Sequence, residues 1–406
     1  MLLSPVLDRV VKTGTLTVVD AHGRVHRGGG VGGPSVTLRL HDPALHRRLV
    51  LQPGLAFGEA YMAGTLTVDE GTLYDALDLT LGNVAALADH PLARLARRRK
   101  DLTRRAHAYN PIGRAHRNVA HHYDLSLALY DLFLDRDRLY SCGYFLDPDD
   151  SLEVAQRNKM RHVAAKLRLS PGQKVLDIGS GWGGLALYLA ELADVDVTGV
   201  TLSAEQHRVS TELARAAGLA DRVRFQLCDY RQVTGTYDRI ASVGMFEHVG
   251  PAHHRAFFAK VGELLVDDGV MLLHSIGRMS PPGYVNPWLT KYIFPGGSTP
   301  ALSEVFRAVE RTGLWVLDVE ILRLHYIWTL RHWRERFAAR RDEARGLYGE
   351  RFCRMWEFYL VAAELAFHHF GHMVFQMQLA HRQDAVPVTR DHITDFERAE
   401  HPIRAG

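Results

Sequence analysis

Three segments carry the side chains best suited to chemistry. The first is Val175-Leu-Asp-Ile-Gly-Ser-Gly-Trp-Gly-Gly184, where the Asp177 carboxylate stands two residues ahead of a glycine run. Glycines between a strand and a helix let the backbone come close to a bound ligand. A dinucleotide fold usually spaces them GxGxxG and holds the ribose with an acid at the end of its second strand. Here the pattern is DxGxGxGG and the acid ends the first strand. The second segment collects the ends of the next two strands. In Thr201-Leu-Ser-Ala-Glu-Gln206, Ser203 and Gln206 have capping-box spacing, and Gln206 can be shared with a ribose. In Cys228-Asp-Tyr230, Asp229 can either shape a turn or accept from an adenine amine, and Tyr230 can flank the ring. The third is Ser242-Val-Gly-Met-Phe-Glu-His-Val-Gly250 with Leu273-His-Ser-Ile-Gly277. Glu247 and His274 are groups that hold or move protons; the alternatives are a helix-terminal charge and a core histidine. His248, His253 and His254 lack metal-ligand spacing with other donors, so no metal is assigned.

The elements that must position these groups follow a recognisable order. From about Pro171, Lys174-Val-Leu-Asp-Ile178 reads as a buried strand, Leu185 to Leu192 as a helix, Val195 to Thr201 as a strand and Ala204 to Ala217 as a helix. Strands at Val223–Leu227, Tyr237–Val243 and Gly269–His274 continue the series. Alternation of this kind predicts a doubly wound α/β fold with a mostly parallel sheet. Residues 321–370 read as helical and aromatic-rich, and His372 to Leu379 as a last strand. Before all this, residues 1–90 form a small α+β unit. Thr15–Val19 and Ser35–Leu40 alternate as a strand pair, Ala21–Arg24 reads as a turn, Gly28–Gly33 as a flexible loop, Thr65–Val68 as a short strand and Thr72–Leu87 as a helix. Residues 91–120 form a basic linker, with Arg94, Arg97, Arg98, Arg99, Lys100, Arg104 and Arg105; the remaining domain is 121–406.

Composition narrows the classes. The 406 residues carry 49 Lys+Arg against 46 Asp+Glu, so net charge names no partner. No aromatic residues interleave the basic run, which argues against nucleic acid and leaves a solvated helix face or a contact with anionic lipid. Cys142, Cys228 and Cys353 are widely spaced and form no CxxC pair, which suits a reducing cytoplasm. The first residues make a poor signal peptide, and no apolar run approaches the roughly 20 residues of a membrane span.

The glycine loop looks like the first motif of the class I methyltransferases. Together with Tyr140-Ser-Cys-Gly-Tyr144, the Ser242–Gly250 and Leu273–Gly277 segments and Lys291-Tyr-Ile-Phe-Pro-Gly296, it resembles the cyclopropane-fatty-acyl-phospholipid synthases and the related mycolic acid cyclopropane synthases. The resemblance runs from about 118 to 380 and extends more weakly into the N-terminal unit, which is similar to the lipid-facing domain of the phospholipid enzymes. It implies S-adenosylmethionine held by Tyr140, Ser141, Asp177, Gly179, Gly181, Thr201, Leu202, Gln206, Asp229 and Tyr230. It also implies a catalytic pocket for bicarbonate formed by Cys142, Glu247, His274, Ile276 and Tyr326. Tyr326 is placed there through its spacing to Leu330 and Trp333. Two positions depart from the family: Ser180 stands where many members have Cys, and Ala363 where some have a helix cysteine, which removes a covalent thiolate at that point.

The implied reaction is methylene transfer to a cis double bond of an unsaturated phospholipid acyl chain. It would take place in the cytoplasm, at the inner membrane surface, and is compatible with a homodimer. An alkene attacks a sulfonium methyl only when both are held in line in a dry pocket, and the resulting cation needs aromatic rather than nucleophilic neighbours. Tyr140, Tyr144, Phe145, Phe246, Trp288, Tyr292, Phe294 and Tyr326 are candidates, with at least half expected to be core. Rival readings are a methyltransferase with a polar acceptor, a non-catalytic lipid carrier, and the same chemistry ending in a methyl- or methylene-branched chain. The absence of an NPPY-like signature and the apolar C-terminal helix (Phe352, Trp356, Tyr359, Leu360, Leu365, Phe367) favour an acyl tunnel over the first; the intact cofactor loop opposes the second.

Overall fold

Leu16, Val18, Val36, Leu38 and Leu40 are buried, and the residues between them are not. In the computed structural model, which describes residues 3–86 and 126–399, that alternation becomes two strands of a four-stranded sheet. The basic run at 91–120 lies outside the described residues. Thr15–Val19 (β1) turns back at 21–24 into Val25–Gly29 (β2), its antiparallel partner. Ser35–Leu40 (β3) runs parallel to β1, and Leu66–Glu70 (β4) antiparallel to β3. The strand β2 was not expected, and it takes up Gly28 and Gly29 from the supposed loop. Its inward residues are His26 and Gly28, so it shows no apolar alternation to read.

Helix Glu350–His369 packs on helices Pro53–Ala63 and Leu73–Ala86. Trp288, in helix Pro287–Tyr292, meets Phe358 edge-on at 4.6 Å between centroids. The approach is close enough that a Cβ at Gly58 would lie 2.5 Å from Trp288 Nε1. Contacts therefore group 3–86 with Tyr284–Pro295 and Leu330–His372 as one compact unit. The sequence boundary had placed those two later segments in the 121–406 domain. Composition cannot show that an apolar helix face is buried by helices some 290 residues earlier in the chain.

The second unit is built on seven strands. Lys174–Ile178 (β5), Asp196–Thr201 (β6), Val223–Leu227 (β7), Tyr237–Val243 (β8), Leu265–Arg278 (β9), Trp315–Leu322 (β10) and His372–Ala380 (β11) lie in the order β10-β11-β9-β8-β5-β6-β7. The pairs β5–β6, β6–β7, β5–β8 and β8–β9 are parallel, and β10 is antiparallel to β11. The doubly wound α/β expectation is met. Several elements were missed, two of which matter most here. β10 is half-buried along most of its length and shows no alternation. Helix Leu152–Leu167, capped by Ser151 Oγ accepting from Val154 N, buries Gln156, Lys159, His162 and Lys166 where apolar residues would mark the inner face. Among the described residues no helix is long and apolar enough to cross a membrane.

That helix is held by charge. His162 Nε2 lies 2.7 Å from Glu320 and Nδ1 2.6 Å from Glu397, and Lys166 also bonds Glu320. Burial would raise the Glu320 carboxyl, but the His162 hydrogen bond and the Lys166 charge hold it well below 4.5. A carboxyl depressed on folding stabilises above its unfolded value, and that stability is lost as pH falls through the two values. Resistance to urea should therefore decline as pH drops below about 4.5. Glu320→Gln, which takes from Lys166 its hydrogen-bonded carboxylate and from His162 one of two, should cost about 3 kcal/mol near neutrality and flatten the acid limb of that curve. An unchanged urea midpoint would show that the cluster contributes nothing.

Candidate functional site

β5 lies between β6 and β8. The chain fills the sheet from β5 through β6 to β7 on one side, then crosses to β8 and β9 on the other. A crevice forms outside the carboxyl ends of strands at such a switch point. Here it is a cleft enclosing about 1260 Å³ of empty space, part of it open to solvent. All ten residues assigned to the cofactor line it: Tyr140, Ser141, Asp177, Gly179, Gly181, Thr201, Leu202, Gln206, Asp229 and Tyr230.

The loop after β5 is pinned by two backbone bonds, with Gly179 N and Ser180 N both donating to Val200 O at 2.9 and 3.0 Å. Gly181 has φ +54°, and a Cβ there would meet no atom within 4 Å. Its missing side chain leaves room in the cleft. After β6, Ser203 Oγ accepts from Gln206 N, but Gln206 Oε1 accepts from Thr201 Oγ1 at 2.8 Å instead of returning to Ser203 N. Ser203 N donates to Thr201 Oγ1. The expected capping box is thus half formed, because the threonine intervenes. After β7, Asp229 caps a short turn with Gln232 and grips Arg231 through both oxygens at 2.6 and 2.8 Å. The turn-forming reading of Asp229 is realised, on the cleft wall. Tyr230 is backed edge-on by Phe257 at 5.3 Å.

The floor of the cleft holds a residue that sequence reasoning missed. Lys159 is 1 % exposed and donates from Nζ to Ser141 Oγ at 2.7 Å. Burial pulls its ammonium down to about 8, against the opposing pull of Asp135, Cys142 and Asp177. Asp177 is equally buried. Desolvation pushes it up to about 7, with the nearby Lys159 charge working the other way. Its Oδ2 has no hydrogen-bond partner among the described residues. Gln156 Nε2 holds Leu139 O and Ser141 O, which fixes the Tyr140 segment over this pair. A polar run at i, i+3, i+6 and i+10 on one helix (Gln156, Lys159, His162, Lys166) was the available signal.

The five residues assigned to catalysis are placed differently, since none lines that cleft. Glu247 Oε1 accepts from Ile276 N at 2.7 Å, and its Oε2 has no hydrogen-bond partner among the described residues. Burial pushes its carboxyl up to about 7 despite the hydrogen bond from Ile276 N. His274 lies two residues before Ile276 on β9. Gln376 Nε2 donates to its Nδ1 at 3.1 Å, and burial keeps the ring neutral. Cys142 is buried and its thiol is pushed up by desolvation, so it is no thiolate. Gly143 N donates to Thr329 Oγ1, one turn beyond Tyr326 on helix His325–Ala339. Of the proposed aromatics, Phe246 is core against Phe257 and Phe258, and His254 stacks on it. Tyr144 is sandwiched between His162 and His325. Trp288, Tyr292 and Phe294 belong to the other unit.

An orphaned buried carboxylate beside open space, and an aromatic wall at Tyr230, fit a cationic cofactor that also carries an adenine. The sheet order, the switch-point cleft and the glycine loop define a class I S-adenosylmethionine-dependent methyltransferase. The family model described as mycolic acid cyclopropane synthetase matches residues 112–377. The chain is 38% identical over 340 residues to the cyclopropane-fatty-acyl-phospholipid synthase of Escherichia coli, covering 83% of this chain and 85% of that one. It is also 38% identical over 345 residues to the tuberculostearic acid methyltransferase UfaA1 of Mycobacterium tuberculosis, at 82% and 80% coverage. Among solved structures, the mycolic acid cyclopropane synthase CmaA1 complexed with SAH and CTAB superposes with a TM-score of 0.62 at 33% identity, covering 67% of this chain and 99% of that one. The chain belongs to the mycolic acid cyclopropane synthetase family and is an S-adenosylmethionine-dependent methyltransferase.

Lys159→Met keeps the length of the side chain and removes its charge and donor. Ser141 then loses a buried charged hydrogen bond and Asp177 the countercharge beside it, so S-adenosylmethionine affinity should fall roughly 10- to 100-fold by calorimetry. Full affinity in a folded variant would show that Lys159 does not position the site.

Proposed function

We propose that this chain transfers a methylene carbon from S-adenosylmethionine to the cis double bond of an unsaturated acyl chain in membrane phospholipid, forming a cyclopropane ring. The observation that carries the reading is Glu247: a buried carboxylate with one oxygen fixed by Ile276 N–H and the other free to accept a bond. The name of the Escherichia coli relative supports the same substrate class.

S-adenosylmethionine, when bound, supplies the electrophilic methyl group. Asp177, poised near 7 in its buried site, offers a carboxylate to the cofactor's amino-acid end, with Ser141 and Tyr140 above it. The dry walls keep water from the cation left on the acyl chain. The protonated Cys142 thiol is a poor nucleophile toward it. Cys142, Glu247, His274, Ile276 and Tyr326 are the residues that would hold bicarbonate, which when bound supplies the base. Glu247 Oε2 would accept a hydrogen bond from such an anion and help keep it basic, while the neutral His274 ring would donate to it from Nε2.

One observation favours a second outcome of the same chemistry. A relative of equal identity is named a tuberculostearic acid methyltransferase, so a branched chain is the alternative product.

Glu247→Gln should lower ring formation at least ~10²-fold, the usual range for a positioned acid–base group. Because Glu247 sits near 7, wild-type ring formation should fall as pH drops below that value and Glu247 gains its proton. The Gln variant should lack that limb. Acyl-chain analysis after feeding a cis-monounsaturated acid reads both effects. Full cyclopropane yield from the variant would make Glu247 structural.

The lipid must be met at a surface, and the proposal includes peripheral association at the inner membrane face through the basic run. Each cation near an anionic surface contributes about 1 kcal/mol, screened by salt. Flotation with phosphatidylglycerol vesicles should weaken between low and high salt, and weaken further when Arg97, Arg98, Arg99, Arg104 and Arg105 become Gln. Binding insensitive to both would exclude the run.

A further inference from the structure

The turn that joins β1 to β2 carries a group of side chains that methyl transfer does not use. Asp20 ends β1, His26 points inward from β2, and His46 comes from helix Leu45–Leu51. Asp20 Oδ1 accepts from His22 N at 2.8 Å and Arg24 N at 2.9 Å, so the carboxylate is fixed in place. Its Oδ2 lies 3.2 Å from His26 Nε2 and 3.8 Å from His46 Nε2. The three donor atoms all lie within 4.8 Å of one another. Asp20 and His26 are buried and His46 is partly exposed. The second nitrogen of His26, Nδ1, lies 2.8 Å from Ser4 Oγ in helix Leu3–Val10.

A turn needs only the two backbone bonds to Oδ1. It does not need two imidazoles converging on Oδ2 from separate elements, set edge to face at 5.8 Å and 87°. Two imidazole nitrogens and one carboxylate oxygen are a common ligand set for zinc. A tetrahedral cation bound at about 2.0–2.1 Å spaces its donors roughly 3.3 Å apart. The Asp20–His26 separation already matches, and a small rotation of the partly exposed His46 closes the rest. Zinc-bound histidines usually anchor their other nitrogen on a polar partner, the place Ser4 takes here.

We propose that Asp20, His26 and His46 form a binding site for zinc or a similar divalent cation, with a fourth position left for water. The cation ties helix Leu3–Val10, the β1–β2 turn and helix Leu45–Leu51 into one unit.

The test uses the full chain, stripped with a chelator and dialysed. Zinc binding is read by calorimetry, and cobalt binding by its visible d–d bands. The wild type should bind one zinc per chain and give the intense bands of tetrahedral cobalt. His26→Gln and His46→Gln should each weaken zinc at least ~10²-fold, while Ser4→Ala should weaken it roughly 10-fold. Far-UV circular dichroism and thermal unfolding of each metal-free variant report that it is folded. Zinc binding that is equal in wild type and both histidine variants overturns the proposal, because another of the chain's histidines then holds the metal. Wild type that gives no cobalt bands overturns it without any variant, and leaves Asp20 and His26 as a hydrogen-bonded turn.

Discussion

Lys159 is an amine only 1 % exposed, and much of the catalytic unit is arranged around that fact. Its proton is favoured by Ser141 Oγ and by the fields of Asp135, Asp177 and Asp137. Asp177 in turn is an acid that burial pushes up to about 7, with the Lys159 charge pulling it back. An isolated ion in such a place costs several kcal/mol, so each member of the pair is conditional on the other. The same dryness that strains the pair is what a carbocation on an acyl chain requires. Helix Leu152–Leu167 delivers the lysine. That helix is held at its outer end by His162 and Lys166 against Glu320 and Glu397, so a second cluster of charges fixes the first.

The pattern repeats at Glu247. Burial raises the carboxyl, one oxygen is satisfied by Ile276 N–H, and the other is left without a partner. Its backbone is braced as well, since Ser298 donates to Glu247 O from both N and Oγ. Asp177 and Glu247 are thus two buried carboxyls held near neutrality, each with an oxygen that has no partner among the described residues.

The cofactor side of this was legible in the sequence because it is local. A strand, a glycine loop and a helix start occupy one stretch, and the ends of β6 and β7 can be found by counting forward. Asp177, Gly181, Gln206 and Tyr230 could be named this way. Lys159 could not, because a lysine in a helix reads as solvated until the helix is known to be buried on that face. β2 and β10 escaped for a related reason: His26 and Gly28 bury without being apolar, and β10 is half-buried throughout. The grouping of Glu350–His369 with the N-terminal helices is a contact between distant segments, which periodicity does not encode. Asp20, His26 and His46 likewise share no motif and meet only through the fold of the small sheet.

The central claim, that the second step removes a proton from the transferred carbon and closes a ring, is tested most directly by isotope retention. Cells expressing the chain are grown on methionine with a fully deuterated methyl group and a cis-monounsaturated fatty acid, and their acyl chains are examined by mass spectrometry. The account predicts a cyclopropane that keeps two of the three deuterium atoms, the third having left with the base. A product that keeps all three, as a methyl branch, would contradict it.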